Sequence, residues 1–218
     1  MSGHDKETHE RVLRTAARLF AERGFKRVTV RDICRTARAN VAAVNYHFGD
    51  KLGLYREVLH LAAQAIRATT AAAVEAAEGQ PPDEQLRTFL RAFLRRLLGT
   101  DRDDWVHKLI NREVADPTPA LDMLIDQAIR PRIEYLSRIV AALLGSTESD
   151  RRVLRCVASI QLQSAAYLPN PVAQRLGIKA RLTPEEIDEV ADHIARFSLG
   201  GIQAVGGNVL EGTGNPRR

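Results

Sequence analysis

Apolar residues recur along the chain at the three- and four-residue spacing of amphipathic helices, and no strand-like alternation persists in any segment. The pattern predicts an all-α protein of about nine to ten helices. Pro131 lies inside one periodic segment, where we expect a kink or a break. After a first helix near the N-terminus, the predicted helices cover 30–37, 41–47, 52–77, 83–98, 103–115, 120–144, 147–167 and 184–203.

The segment 29–51 predicts two short helices joined by a tight turn. Thr29 and Asp32 have the spacing of a capping box, in which two unpaired backbone N–H groups are satisfied reciprocally. The turn 38–40 lacks the glycine often found in such motifs, but Asn40 tolerates a left-handed conformation and also caps helix N-termini well. The buried stripe of the first helix is predicted to be Val30, Ile33, Cys34 and Ala37.

The second short helix is predicted to have one buried and one exposed face. Its inward seam is Val41, Val44 and Phe48. Small residues on the outward face allow close approach to a DNA major groove, where longer polar side chains reach base edges or phosphates. The outward residues are Ala42, Ala43, Tyr46 and His47, with Asn45 at the edge of the seam. The pattern indicates a DNA-binding helix-turn-helix, against the ordinary alternative that a lone Tyr or His on a short helix is packed.

A lysine stands at the start of the next predicted helix. Lys51 in the first turn opposes the helix dipole, but the same position is favourable when a phosphate docks on the free N–H groups there. Lys51 is therefore a candidate phosphate contact, and the alternative is a solvated lysine.

The N-terminal segment resembles the DNA-binding domain of the TetR family of transcriptional repressors. The resemblance rests on the first helix, on TVRDICRTA and on VAAVNYHFGDKLGLY. The family commonly carries two aromatic residues before its His-Phe pair, whereas this chain has Asn45 and Tyr46, so base preferences are not transferred from better-known members. The candidate DNA-contacting residues are Thr29, Arg38, Asn40, Ala42, Ala43, Asn45, Tyr46, His47 and Lys51.

Positive charge is concentrated in the same segment. Residues 1–60 hold 12 Lys and Arg against 7 Asp and Glu, a net charge of +5, which equals the formal net charge of the whole chain. Residues 61–218 hold 20 of each sign. A basic surplus confined to one segment is typical of nucleic-acid binding, and the neutral remainder is expected to have another role.

Length and composition are ordinary for a soluble protein of one large or two modest domains. We predict a DNA-binding domain at 1–52, a ligand-binding and dimerisation domain at 53–205 and a flexible tail at 206–218. The apolar runs are too short to span a bilayer and the N-terminus lacks a signal-peptide core, which predicts a cytoplasmic protein. Cys34 and Cys156 lie on apolar stripes, which favours packed thiols over a disulfide.

Two helices near the C-terminus are candidates for self-association. The segments 147–167 and 184–203 each carry an apolar stripe, and a capping box with an N1 proline opens the second. The family resemblance implies that both helices pair with those of a second subunit in a four-helix bundle. A palindromic operator requires two recognition helices about 34 Å apart, which agrees with a homodimer. The alternative is that both stripes pack within their own subunit.

The segments NREVADPTPAL at 111–121 and PRIEYL at 131 resemble a TetR subgroup with a CecR/YbiH-like C-terminal domain. Polar residues among the apolar helices are candidate contacts of a small molecule, because a buried polar group needs a partner. The candidates are Trp105, His107, Asn111, Arg112, Gln127, Gln161, Ser164 and Tyr167. The alternatives are hydrogen bonds among these side chains or, for Arg112 and Glu113, an ion pair that holds helices together.

The sequence contains no GxSxG elbow, no P-loop and no recognisable catalytic arrangement, so an enzyme is not predicted. Glu189 and His193 share a helix face without a third ligand at metal spacing, and neither a metal nor a cofactor is predicted. The residues and the resemblance to the TetR family together predict a repressor that binds a palindromic operator in double-stranded DNA as a homodimer and is released by a small molecule bound in the C-terminal domain. The alternative is a helical DNA-binding or protein-interaction adaptor without an effector.

Overall fold

The computed structural model describes residues 3–99, 104–168, 174–177, 179 and 181–207. Every regular element in this part of the chain is helical, which confirms the predicted all-α class. The helices are α1 Gly3–Arg23, α2 Val30–Ala37, α3 Val41–Phe48, α4 Lys51–Ala76, α5 Pro82–Leu98, α6 Asp104–Ala115, α7 Leu121–Leu124, α8 Arg130–Leu144, α9 Arg151–Ala166 and α10 Pro184–Gly206. The apolar stretches of the described helices all fall short of what a membrane-spanning helix needs.

The chain divides into two compact units, Met1–Arg67 with Asp103–Arg130, and Ala68–Arg102 with Pro131–Arg218. The first unit thus contains α6 and α7 in addition to the helix-turn-helix, and α6 packs along α1. The predicted domains, 1–52, 53–205 and 206–218, are defined by function and not by compactness. They stay a prediction. Residues 208–218 of the predicted tail lie outside the described residues.

Aromatic rings form the centre of the first unit. The rings of Phe20 and Tyr55 meet edge to face with centroids 4.9 Å apart, and Phe25 lies 4.8 Å from Tyr55. Such pairs contribute more than their buried area alone. Both Phe20 and Tyr55 are almost completely buried, so α1 and the start of α4 share one core.

Regular α-helix is interrupted just before Pro131, where the sequence predicts a kink or a break. A π-helical turn, Ile125–Ile129, separates α7 from α8. Pro131 has no N–H to donate, and its ring clashes with the carbonyl group four residues earlier in a regular α-helix. The wider π turn accommodates this clash without ending the run of helical backbone.

In the second unit, α10 packs against α5 and α9. Its buried face comprises Ile187, Ala191, Ile194, Ala195, Ser198, Leu199 and Ile202. Two ion pairs flank the contact with α5: Arg95 Nε donates to Asp188 at 2.7 Å, and Arg91 Nη2 donates to Asp192 at 2.7 Å. These pairs are exposed, so the apolar stripe supplies most of the stabilisation.

Helix boundaries differ from the prediction where a cap decides them. α9 begins at Arg151, not at 147, because Asp150 Oδ1 accepts the Arg152 N–H at 2.8 Å. α10 begins at the predicted capping box, in which Thr183 Oγ1 accepts the Glu186 N–H at 3.3 Å. Cys34 and Cys156 are free thiols, and burial raises the pKa of both.

Candidate nucleic-acid interface

The capping box predicted for α2 is present. Asp32 N–H donates to Thr29 Oγ1 and Thr29 N–H donates to Asp32 Oδ2, each at 3.1 Å. The Thr29 hydroxyl also donates to Asp32 Oδ2 at 2.6 Å. These bonds from Thr29 hold the pKa of the Asp32 carboxyl below its usual value. The Thr29 hydroxyl hydrogen is therefore used in a hydrogen bond within the first turn of α2, although the side chain is exposed.

The turn between α2 and α3 uses two different residues for its two tasks. Asn40 caps α3, because its Oδ1 accepts the Ala42 N–H at 3.0 Å. The left-handed residue is Arg38, with φ 50°, and the Ala39 N–H then donates to Cys34 O at 3.0 Å. An arginine in this conformation is strained relative to glycine. Arg38 is exposed at the entrance to α3.

The buried seam of α3 is shorter than predicted. Val44 and Phe48 are buried as expected, but Val41 is 40% exposed, so its assignment to the seam is wrong. Val41 is the first residue of the helix and directly follows the turn, so it lies beyond the end of the buried stripe. The seam of α3 is therefore held by two residues alone.

The opposite face of α3 presents one prominent side chain. Tyr46 is 81% exposed, and Ala42 and Asn45 are exposed beside it. Ala43 is half-buried. An aromatic ring this exposed next to small residues is suited to insertion into a groove of DNA.

His47 is less free than its predicted outward position implies. It is half-buried, and its ring meets that of His9 edge to face with centroids 5.5 Å apart. His9 in turn stacks on Phe48 at 4.7 Å. The three rings brace the end of α3 against α1, which sets the direction of the recognition face.

Lys51 is the first residue of α4, where free backbone N–H groups favour an anion. The helix follows a turn at Gly49 with φ 75°, and Asp50 Oδ1 accepts the Gly53 N–H at 2.7 Å. The Lys51 ammonium lies over the Phe25 ring, 4.3 Å from its centroid. Burial lowers the Lys51 pKa. The Phe25 ring thus holds the Lys51 ammonium at the start of α4, where a phosphate contact is predicted. The contact between Lys51 and a phosphate stays a prediction.

A contact that the sequence did not predict joins α4 to α6. Tyr55 Oη donates to Glu113 Oε2 at 2.7 Å, and Glu113 Oε1 accepts from the N–H and the hydroxyl of Thr118 at 2.9 and 2.8 Å. Glu113 is fully buried. Burial, followed by the bond to Glu113, raises the Tyr55 pKa. In the sequence, Glu113 stands out only as a charged residue among apolar positions. This pattern does not identify Tyr55 as its partner.

Arg112 binds the end of α1. Its Nε donates to Ala21 O at 2.8 Å and its Nη2 donates to Glu22 O. These carbonyl groups lie in the last turn of α1, where a cation is favourable. The ion pair considered for Arg112 and Glu113 is replaced by separate contacts, one to α1 and one to α4. Both contacts fix α6 within the unit that contains the helix-turn-helix.

The structure does not gather the eight predicted ligand contacts into one unit. Trp105, His107, Asn111, Arg112 and Gln127 belong to the first unit, and Gln161, Ser164 and Tyr167 belong to the second. Several have partners within the protein: Gln127 Oε1 lies 3.0 Å from His60 Nδ1, and the Ser164 hydroxyl donates to Ile160 O at 3.0 Å. Ligand contact by these residues stays a prediction. No cluster of potential metal ligands occurs among the described residues.

Both parts of the chain match families of known proteins. Residues 12–58 match bacterial regulatory proteins of the tetR family, and residues 82–202 match the C-terminal domain of the HTH-type transcriptional dual regulator CecR. The chain therefore belongs to the TetR family of transcriptional regulators, in the branch with a CecR-type C-terminal domain. The resemblance stated from the sequence is confirmed.

Individual relatives agree with this placement. The chain is 30% identical over 180 residues to the HTH-type transcriptional dual regulator CecR of Shigella flexneri, covering 79% of this chain and 77% of that protein. SCO4454, a TetR-family regulator from Streptomyces coelicolor, superimposes with a TM-score of 0.64 at 20% identity, covering 90% of this chain and 96% of that chain. AibR, solved in complex with isovaleryl coenzyme A and operator DNA, superimposes with a TM-score of 0.64 at 19% identity, covering 87% of this chain and 97% of that chain.

Proposed function

We propose that this regulator is a homodimeric repressor that reads a palindromic operator with α3 and is released from DNA by a small molecule bound in the C-terminal domain. The exposed face of α3 is the observation that carries the proposal. Tyr46 is 81% exposed on a helix whose other side is fixed by Val44 and Phe48. Residues 1–60, which include this helix, also carry the basic surplus that DNA binding requires.

The residues around α3 divide into two roles on DNA. Ala42, Asn45 and Tyr46 form the outermost face and read base edges in the major groove. Lys51 binds a phosphate at the start of α4, and Arg38 contacts the backbone from the turn that precedes α3. The phosphate contacts supply affinity and orientation, whereas the α3 face supplies sequence preference.

An apolar surface on the second unit supports the homodimer. Leu162 on α9 is 71% exposed and Phe197 on α10 is 65% exposed, and Leu154 and Val205 are exposed on the same two helices. Exposed large apolar side chains of this number are typical of a subunit interface. In a homodimer, these side chains pack against the same residues of a second copy, related by a twofold axis. This symmetry matches that of a palindromic site.

Ligand release requires a connection from the second unit to α3. α4 contributes residues to both units, and within the first unit it is bonded to α6 through Tyr55 and Glu113. A ligand that displaces α4 alters this contact and the direction of α1, which braces α3. A tenfold change in operator occupancy needs only about 1.4 kcal/mol of coupling. The AibR complex supports the proposal because a protein of this fold was solved with both an acyl coenzyme A and operator DNA.

Selection of DNA by the purified protein tests the proposal. Random duplexes are enriched over successive rounds of binding and sequenced. We expect an inverted repeat whose half-sites are spaced for two copies of α3. Recovery of no common sequence would overturn the operator-reading proposal and favour the adaptor alternative.

A further inference from the structure

Four aromatic rings form a path of contacts from α1 to the exposed face of α3. His9 stacks on Phe48 with centroids 4.7 Å apart, and its ring meets that of His47 edge to face at 5.5 Å. The His47 ring in turn meets that of Tyr46 edge to face at 5.2 Å. The path therefore connects the half-buried His9 to Tyr46, which is exposed.

The contact between Tyr46 and His47 decides what this path can do. Adjacent residues of a helix point about 100° apart and do not normally face each other. A contact between their rings means that the Tyr46 ring is directed toward the side of α3 on which His9 lies. Among the described residues, His47 supplies the one ring that contacts Tyr46. The orientation of the Tyr46 ring therefore depends on the position of the His47 ring.

His9 holds the His47 ring in place. The buried seam of α3 consists of Val44 and Phe48, which are four residues apart and lie along one line of the helix. Contacts along one line resist a roll of α3 less than a contact on its flank does. A roll of about 20° moves an atom that is about 5–6 Å from the axis by about 2 Å. His9 contacts Phe48 on the line and His47 beside it, so its imidazole opposes this roll.

We propose that His9 is a positioning residue for sequence recognition, which acts through His47 to orient the ring of Tyr46 against the bases that it reads. The inference rests on the base reading by Tyr46 described under Proposed function, and it deepens that proposal. A side chain already held in its bound orientation loses less conformational entropy on binding, and a binding site must be held to within about 0.5 Å of its productive geometry. His9 thus contributes to the preference for particular base pairs without touching DNA.

Fluorescence anisotropy of the full-length protein on a panel of duplexes tests this inference. The reference duplex carries the inverted repeat recovered by operator selection, and each other duplex carries one substituted base pair. Tyr46→Ala should relax the preference at a small set of positions. We expect His9→Ala to lower the discrimination at the same positions at least fivefold, with affinity for a scrambled duplex unchanged.

Two further measurements separate orientation of Tyr46 from a general structural role. His9→Phe keeps a ring that can stack on Phe48 and meet His47, so discrimination should return to within about twofold of wild type. In a Tyr46→Ala background, His9→Ala should cause no further loss of discrimination, because its effect passes through the Tyr46 ring. A loss of stability, or a phosphate contact made by His9 itself, would instead weaken binding to every duplex and persist in that background.

Circular dichroism at the assay temperature shows whether each variant is folded. If His9→Ala loses helical content, His9→Leu repeats the test, because leucine fills much of the same volume without a ring. Unchanged discrimination in the folded variant, an equal loss on all duplexes or a failure of His9→Phe to restore the preference would overturn the inference. Wild-type discrimination in the same experiment would still uphold base reading by α3, whereas wild-type binding without preference would overturn both.

Discussion

The hydroxyl of Tyr55 and the carboxylate of Glu113, 58 positions apart in sequence, are joined by a buried hydrogen bond of 2.7 Å. Glu113 is fully buried and accepts two further bonds from Thr118. A buried carboxylate with this many donors is stable only while the donors are in place. The bond therefore makes the position of α6 sensitive to any movement of α4, the helix that continues from one unit into the other.

Tyr55→Phe removes this donor without changing the size of the ring. We expect the free energy of unfolding to fall by about 1.5–3 kcal/mol, because a charged acceptor is left under-satisfied. Urea denaturation followed by circular dichroism measures the change. Tyr167 is half-buried, and its hydroxyl has no hydrogen bond to the described residues, so Tyr167→Phe should cost less than about 0.5 kcal/mol. Equal losses in the two variants would show that the Glu113 contact is not special.

Arg38→Gly separates stability from DNA affinity. Arg38 has φ 50°, so glycine relieves backbone strain, and we expect the free energy of unfolding to rise by up to about 1 kcal/mol. Operator affinity should fall, because the guanidinium that we propose to contact the DNA backbone is lost. Arg38→Ala is the matched control, since it loses the same charge but keeps the strain. It should weaken DNA binding equally without a gain in stability, and unchanged affinity in both variants would exclude Arg38 from the interface.

Leu162→Glu places a charge in the proposed dimer interface. Because Leu162 is already exposed within one subunit, the helical content should be unchanged while the dimer dissociates. Sedimentation velocity at micromolar concentration is the measurement. Val114→Glu changes an exposed apolar residue of α6 in the other unit and should stay dimeric. A dimer that persists in Leu162→Glu would place the subunit interface elsewhere.

Lys51→Ala should weaken binding to specific and random duplexes by the same factor. One lost phosphate contact lowers the slope of log affinity against log salt by about one unit. The effect on folding is expected to be small, because loss of the contact with Phe25 is offset by removal of a cation from the N-terminus of α4. Salt titrations on both duplexes provide the measurement. An unchanged slope would mean that Lys51 touches no phosphate and serves only Phe25.

The sequence predicted those features that local spacing determines. Of the predicted stripe, Ile33, Cys34 and Ala37 are buried and Val30 is half-buried. This stripe, the capping box of Thr29 and the interruption near Pro131 all depend on residues a few positions apart. The exposure of Val41 was missed because helical periodicity does not show where a buried seam ends.

Features that depend on long-range contacts could not be predicted in the same way. The partners of Arg112 lie at the end of α1 and the partner of Glu113 lies in α4, so the motif that contains both residues indicated a role without its geometry. Tyr46, by contrast, was correctly placed outward from its position on α3 alone.

Fluorescence anisotropy of the full-length protein on a duplex carrying the selected inverted repeat, against a scrambled duplex of equal length, decides whether α3 reads sequence. Wild type should bind the inverted repeat at least a hundredfold more tightly, keep that preference at higher salt, and lose most of it in Tyr46→Ala or Asn45→Ala while binding to the scrambled duplex is unchanged. Equal, salt-sensitive binding of wild type to both duplexes would contradict the assignment of α3 as a sequence reader.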